Sequence, residues 1–282
     1  MLIVGAIGLT RFGFPDGASA SANVPARIYE AARMAEAHHF HSVWAADATL
    51  PGYPWLDSLA VLGGVVAVTS RVQVGTSIFV LARRNPVLLA HTLSTLDYLS
   101  GGRFILGVGV GERALRPNEY AVAGVPMEHR GRITHEYLGL LQRLFTESTV
   151  HHDGKYFKGQ SITIEPKPVR PGGIPFWIAG RSEASLHRAA ELGAGWLPGL
   201  ITPHDFRQEW ARVGEYAMAA GRDPESITGA LHIFASIGST YEAAVKQLAP
   251  GIEAIFHAPF ANFEPLCLVG TSNQYLPPSW PV

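Results

Sequence analysis

Residues 72–111, VQVGTSIFVLARRNPVLLAHTLSTLDYLSGGRFILGVGVG, hold two apolar strands, a helix with clear ends and a glycine-rich exit. Val72 to Val80 is an apolar, β-branched run of the kind that needs cover on both faces, and Phe104 to Val110 is a second. Such a pair suits a parallel sheet. Between them Asn85 is a good N-cap, Pro86 takes the first helical position, where a missing N–H costs nothing, and Leu89, Leu93 and Leu96 form an apolar stripe. Gly101-Gly102 stops the helix. The result is one complete strand–helix–strand unit whose local signals all agree.

The same alternation extends in both directions. LIVGAIGL at 2–9 reads as a first strand and RFGFPDGASASAN at 11–23 as a loop of the kind that lies over a site. Asn23 opens a helix to about His39, HSVWAAD at 41–47 is a strand ending on an aspartate, and Leu56 to Ser70 is a helix of small residues. Downstream, Arg132 to Phe145 carries a helical stripe, and Asp153-Gly154 between short alternating runs predicts a hairpin. IPFWIAG at 174–180, GWLPGL at 195–200 and ITGALHIFASIG at 227–238 are further strands, with helices opening at Ser182, Thr202-Pro203 and Thr240. Seven strands alternating with helices over 282 residues predict a single (β/α)8 barrel domain, 1–282, of the TIM type. Residues 112–173 read as an insertion with a helix and a β-hairpin, and 250–282 as an atypical tail. No run after Pro250 is a convincing strand, so either LCLV at 266–269 closes the barrel poorly or the eighth strand is lacking.

Composition narrows the class of function. Hydrophobic content of 47%, charged content of 16% and a net charge of −1 supply a large core and no electrostatic footprint for nucleic acid. One cysteine, Cys267, excludes an internal disulfide framework and suits the cytoplasm, and no apolar stretch is long enough to span a membrane. There is no metal-site spacing: HExxH, cysteine pairs and carboxylate clusters are all missing.

Taken in order, VWAAD, PWLDSL, GTSIFVLARRNPVLLA, TLDYLSGGRFILGVGVGE, HRGRITHEYLGLLQRLFT, PFWIAGRS and GWLPG resemble the bacterial luciferase-like flavin and deazaflavin oxidoreductases over roughly residues 1 to 245. The RNPVLLA and RGRITHEYL wording is most similar to the branch that uses coenzyme F420. The resemblance implies that the ring of the cofactor rests on a bulge of the third strand with a non-prolyl cis peptide, matched here by Ser77 and Ile78, with Thr76 beside it. On the residues alone Ser182 reads first as a plain N-cap and Gly180 as a tight turn, whereas the resemblance implies a phosphate at Gly180-Arg181-Ser182, where a strand meets a helix N-terminus. Gly109 and Gly199 would border the ring, and Asp47 would contact the cofactor. Relatives usually follow that aspartate with a histidine; here the next residue is Ala48, which removes the natural proton-transfer group. His38, His39, His41, His151 and His152 read as surface residues, and Glu112 is the candidate acid or base, a solvated loop glutamate being the alternative. Phe12, Trp44 and Trp55, together with Phe14 and Tyr53, would form an apolar substrate wall.

The implied activity is hydride transfer between F420 and a small organic substrate by a cytoplasmic homodimer. Three alternatives stand beside it: an FMN-dependent monooxygenase, a non-catalytic flavin- or deazaflavin-binding protein, and a phosphate-binding barrel unrelated to flavins.

Overall fold

Helix caps read from the sequence are formed in three dimensions. In the computed structural model, which describes residues 24–50, 55–111 and 117–275, Asn85 Oδ1 accepts from the N–H groups of Val87 and Leu88 at 3.0 and 3.1 Å. The same helix ends on Gly101 at φ 66°, a left-handed backbone that favours glycine. Thr202 and Thr240 cap their helices through Oγ1. Ser182 stands at an N-cap position, but its hydroxyl makes no capping bond.

In chain order the elements are α1 (Val24–Ala37), β1 (Ser42–Ala45), α2 (Ser58–Val68), β2 (Gln73–Thr76), α3 (Pro86–Ser100), β3 (Phe104–Val108), α4 (Pro117–Val122) and α5 (Arg130–Thr146). There follow β4 (Val150–Asp153), β5 (Lys158–Ile162), β6 (Phe176–Ile178), α6 (Glu183–Leu192), β7 (Gly195–Trp196) and α7 (Pro203–Ala219). The chain closes with β8 (Thr228–Gly229), β9 (Phe234–Ile237), α8 (Tyr241–Phe256), β10 (Cys267–Gly270) and α9 (Ser272–Tyr275).

β1, β2, β3, β6, β7 and β8 pair in that order, every pair parallel. Their C-terminal ends therefore share one side, where the loops after residues 45, 76, 108, 178, 196 and 229 emerge. The helices cover the outer face, and one apolar cluster runs from Val24 through Leu93, Leu138 and Leu186 to Ile227. A separate cluster of Trp44, Ile105, Trp177 and Leu197 fills the inside of the curled sheet. This is the TIM-type α/β architecture that the sequence predicts.

Several boundaries differ for physical reasons. The strand from Val72 stops at Thr76, and the bond between Ser77 and Ile78 is cis, the backbone feature that the resemblance implies at these two residues. α5 packs between α3 and α6, so the helix assigned to the insertion belongs to the outer layer of the barrel, and the hairpin β4–β5 is the excursion. An eighth strand exists: β10 pairs in parallel with β9 through Cys267↔Phe234 to Gly270↔Ile237. It is short, pairs with β9 in a two-stranded sheet apart from the six-stranded one, and buries only Val269 and Gly270, which hides it from an apolar-run criterion. α8 passes through Pro250 and does not stop there, because Ala244, Leu248, Ile252 and Phe256 keep one apolar face packed with Phe260 and Val269. The expected first strand at 2–9 and the loop at 11–23 lie outside the described residues.

At the N-terminal side of the sheet, the Glu36 carboxylate of α1 accepts from the backbone N–H groups of Ser70, Arg71 and Val72 at 2.9, 2.6 and 2.9 Å. Burial pushes its pKa up, but the bonds from Val72, Arg71 and Ser70 outweigh it and bring the pKa to about 2. A carboxylate with a lowered folded pKa contributes stability above its unfolded value and loses it on acidification. Glu36→Gln therefore costs about 1 kcal/mol at pH 7 after allowing for solvent screening. The gap between the urea curves of variant and wild type narrows as pH falls from 4.5 toward 2.

Candidate active site

The loops after the strand ends are held by a buried ion network. Asp47, just past β1, receives Arg83 Nη2 at 2.6 Å, Arg84 Nη2 at 3.3 Å and the Val80 N–H at 3.2 Å. Arg83 also pairs with Glu119 of α4, whose Oε1 accepts from the N–H groups of Thr49 and Leu50 at 2.7 and 2.8 Å. The Asp47, Arg83 and Glu119 side chains are only 1–3% exposed. A charge removed from water this far requires a partner, so the Asp47 carboxylate is engaged in fixing the mouth, not presented to a cofactor as expected. Tyr120 completes the latch by donating to the Val110 carbonyl. Burial, the largest influence, raises its phenol pKa.

Other expected contacts resolve in the same way. Thr76 is buried and donates Oγ1 to the Gly107 carbonyl at 2.8 Å, a bond that serves strand packing. Trp44 is 5% exposed and stacks at a tilt on Trp177 with ring centroids 5.2 Å apart, inside the barrel. Its Nε1 donates back toward the start of β1, to Ser42 Oγ at 2.8 Å, so the indole is aimed away from the substrate wall assigned to it. Trp55 is half-buried and donates to the Ala46 carbonyl at 2.9 Å, which keeps it beside the strand-end loops. Phe12, Phe14, Tyr53 and Glu112 lie outside the described residues.

Ser77, Ile78 and Gly109 do come together. Asp47 N–H donates to the Ile78 carbonyl at 3.1 Å, and a Cβ on Gly109 would lie 2.5 Å from Ile78 Cδ1. Glycine at 109 thus lets the bulge settle against the neighbouring strand. Across the mouth, Gly199 bridges to His232, whose N–H donates to the Pro198 carbonyl at 2.8 Å. His232 Nδ1 lies 3.0 Å from Ser77 Oγ, a contact between residues 155 apart in sequence that spans the strand-end ring. Burial pushes the His232 imidazole toward lower pKa, which favours the neutral ring. Sequence reading did not single out His232. Its signal was a histidine within the apolar strand run ALHIFASIG, not at a helix flank like most of the other histidines.

Gly180 holds φ 111° and its carbonyl accepts Trp196 Nε1 at 3.0 Å, so a fully buried indole sets the turn into α6. Arg181 does not turn toward that helix end. Glu209 and Asp205, one turn apart on α7, hold its guanidinium at 2.7 and 3.3 Å. Two other guanidiniums lie where α5 begins beside α6: Arg188 Nη2 donates to Gly131 O at 2.9 Å and Arg130 Nη1 to Met127 O at 3.0 Å. The Nε of each is buried without a hydrogen-bond partner. The Ser182 hydroxyl meets Ser185 Oγ at 3.2 Å, and the buried Nε donors of Arg188 and Arg130 are chemistry that suits an anionic group. Among the described residues no cluster could hold a metal ion.

Comparison with known proteins places these features in context. A family model described as luciferase-like monooxygenase matches residues 7–274, past the eighth strand. An uncharacterized protein of Mycobacterium tuberculosis (strain ATCC 25618 / H37Rv) is 32% identical over 216 residues, 68% of this chain and 74% of that protein. The F420-dependent glucose-6-phosphate dehydrogenase of Amycolatopsis mediterranei (strain U-32) is 32% identical over 244 residues, 82% of this chain and 71% of that one. A solved F420-dependent secondary alcohol dehydrogenase, in complex with an F420-acetone adduct, shares the fold with TM-score 0.79. That superposition covers 89% of this chain and 83% of the other at 24% identity.

Removing one member of the ion network exposes its weight. Glu119→Gln leaves Arg83 undercompensated in a dry site, while the amide oxygen can still accept from the Thr49 and Leu50 N–H groups, and it lowers unfolding free energy by about 3 kcal/mol in denaturant titrations.

Proposed function

The chain belongs to the luciferase-like monooxygenase family, and from that premise we propose that it is an oxidoreductase dependent on coenzyme F420, acting on a small organic substrate at the strand-end mouth. It is an enzyme of this family. The observation that carries the cofactor assignment is the F420 dependence named for the relative that matches 82% of this chain. When bound, the deazaflavin supplies hydride chemistry.

The residues of this chain have separate tasks in that reading. Ser77, Ile78 and Gly109 support the flat ring, with Gly199 opposite. The N–H groups at the start of α6 and the Ser182 hydroxyl bind the phosphate of the cofactor, with Arg188 and Arg130 supplying the charge that Arg181 gives to Glu209. Asp47, Arg83 and Glu119 keep the ring platform rigid, which is the condition for holding a donor and acceptor in line. Trp55 borders the substrate.

FMN with a separate reductase and molecular oxygen is the second reading, favoured by the monooxygenase description of the family model. Fluorescence titration separates the two. F420 quenches protein emission with a dissociation constant at least about tenfold below that of FMN, equivalent to about 1.4 kcal/mol. The opposite order supports the monooxygenase, and tight F420 binding without turnover on any substrate supports a binding protein.

Under the same reading the enzyme works in the cytoplasm as a homodimer. No helix among the described residues is long and apolar enough to cross a membrane. α2 contains no charged residue, and the one charge on α3, Asp97, is buried. The outward side of α3 exposes Leu88, Tyr98 and Leu99, beside Ala60 and Ala67 of α2. An uncharged surface of this kind suits a second copy of the chain. Light scattering gives the mass of a dimer for wild type and of a monomer for the L88E/L99E double variant.

A further inference from the structure

We propose that His232, acting through the Ser77 hydroxyl, is the proton-handling group of this mouth when hydride leaves or reaches an alcohol carbon. The inference rests on the F420 reading above and adds a residue to it.

Geometry is the first support. Ser77 leaves the end of β2 and His232 the segment between β8 and β9, so their 3.0 Å contact joins opposite sides of the strand-end ring. The backbone of His232 is pinned by Pro198 and by its bridge to Gly199, and its ring lies 5.2 Å from that of Phe234. Ser77 directly follows β2 and its N–H donates to the Ala45 carbonyl at 3.0 Å, so backbone bonds to neighbouring strand ends position both ends of the contact. A serine hydroxyl between a ligand and an imidazole can accept one proton while releasing another.

The histidines singled out near the strand and hairpin ends have other surroundings. His151 bonds Gln160 and His152 bonds Glu136 in the hairpin region, while His38 and His39 are exposed after α1. Ala48, one residue beyond Asp47, is buried and has no group to offer. The elements packed on the His232 ring contribute Ser77, Pro198, Gly199 and Phe234, none of them charged. Burial alone depresses its basicity, so the ring is neutral and able to accept at neutral pH.

The balance of the step is simple. As the substrate C–H bond breaks and its hydride leaves for the oxidised deazaflavin, the substrate O–H proton passes to Ser77 Oγ and the Ser77 proton passes to His232 Nδ1. Two electrons depart with the hydride, a carbonyl forms, and the imidazolium holds the proton. Ketone reduction is the reverse, with the reduced deazaflavin as hydride source.

The test uses the full chain as wild type, H232Q and S77A. Proton–nitrogen correlation spectra of the unliganded protein report whether His232 Nδ1 is an acceptor, a state that S77A must alter. F420 titration and turnover on a panel of secondary alcohols follow. The proposal expects H232Q to bind F420 like wild type and both variants to lose about 10²-fold or more in kcat. It also expects the acid limb of the wild-type profile, which falls below the ordinary histidine range, to vanish in H232Q. A wild type that binds no F420 overturns the cofactor reading and this proposal together. Normal F420 binding overturns this proposal alone if H232Q keeps wild-type turnover and its acid limb, if S77A leaves the Nδ1 signal unmoved, or if wild type is inert on the whole panel.

Discussion

A pair of indoles inside the barrel is the packing on which the rest of this structure depends. Trp44 and Trp177 project into the curled sheet from β1 and β6, and they fit because neighbouring strands carry glycine where a side chain would otherwise stand. A Cβ on Gly75 would meet Trp44 at 2.5 Å, and one on Gly195 would meet Trp177 at 2.7 Å. Each buried ring contributes at least about 2–3 kcal/mol through the apolar surface it removes from water. These rings, Ile105 and Leu197 pack the interior of the curled sheet with side chains.

The strand ends are in turn made rigid by charge, not by apolar packing. Asp47, Arg83 and Glu119 form one dry network that ties the exit of β1, the segment after the cis bond and α4 into a single body. Its members face one another, and the Asp47 N–H also donates to the Ile78 carbonyl, which ties the bulge to the network. A platform for a planar ring needs fixed backbone more than it needs functional side chains, and this arrangement provides it.

Cations at the mouth are divided between two roles. Arg181, next to the glycine turn, is claimed by Asp205 and Glu209 on α7, and the surface ion pair joins α7 to the turn into α6. Arg188 and Arg130 instead keep a buried nitrogen each without a partner. The desolvation of such groups is costly unless an anion answers it, and this makes the α5–α6 junction the better candidate for a phosphate than the guanidinium nearest to the glycine turn in sequence.

The amino-acid sequence by itself determined the alternation of strands and helices, the caps at Asn85, Thr202 and Thr240, the hairpin at Asp153-Gly154 and the membership of a family. These depend on periodicity and on bonds between residues a few positions apart, which any reader of the chain can see. Only the tertiary structure decided that Trp44 points inward, that Thr76 and Asp47 serve the scaffold, that Arg181 belongs to α7, that CLVG forms an eighth strand and that His232 meets Ser77. Each of those outcomes depends on which strand becomes whose neighbour once the sheet curls. Side-chain direction and partner choice across more than a hundred residues are set by closure and by the energetic need to pair buried charges, and no local pattern carries that information.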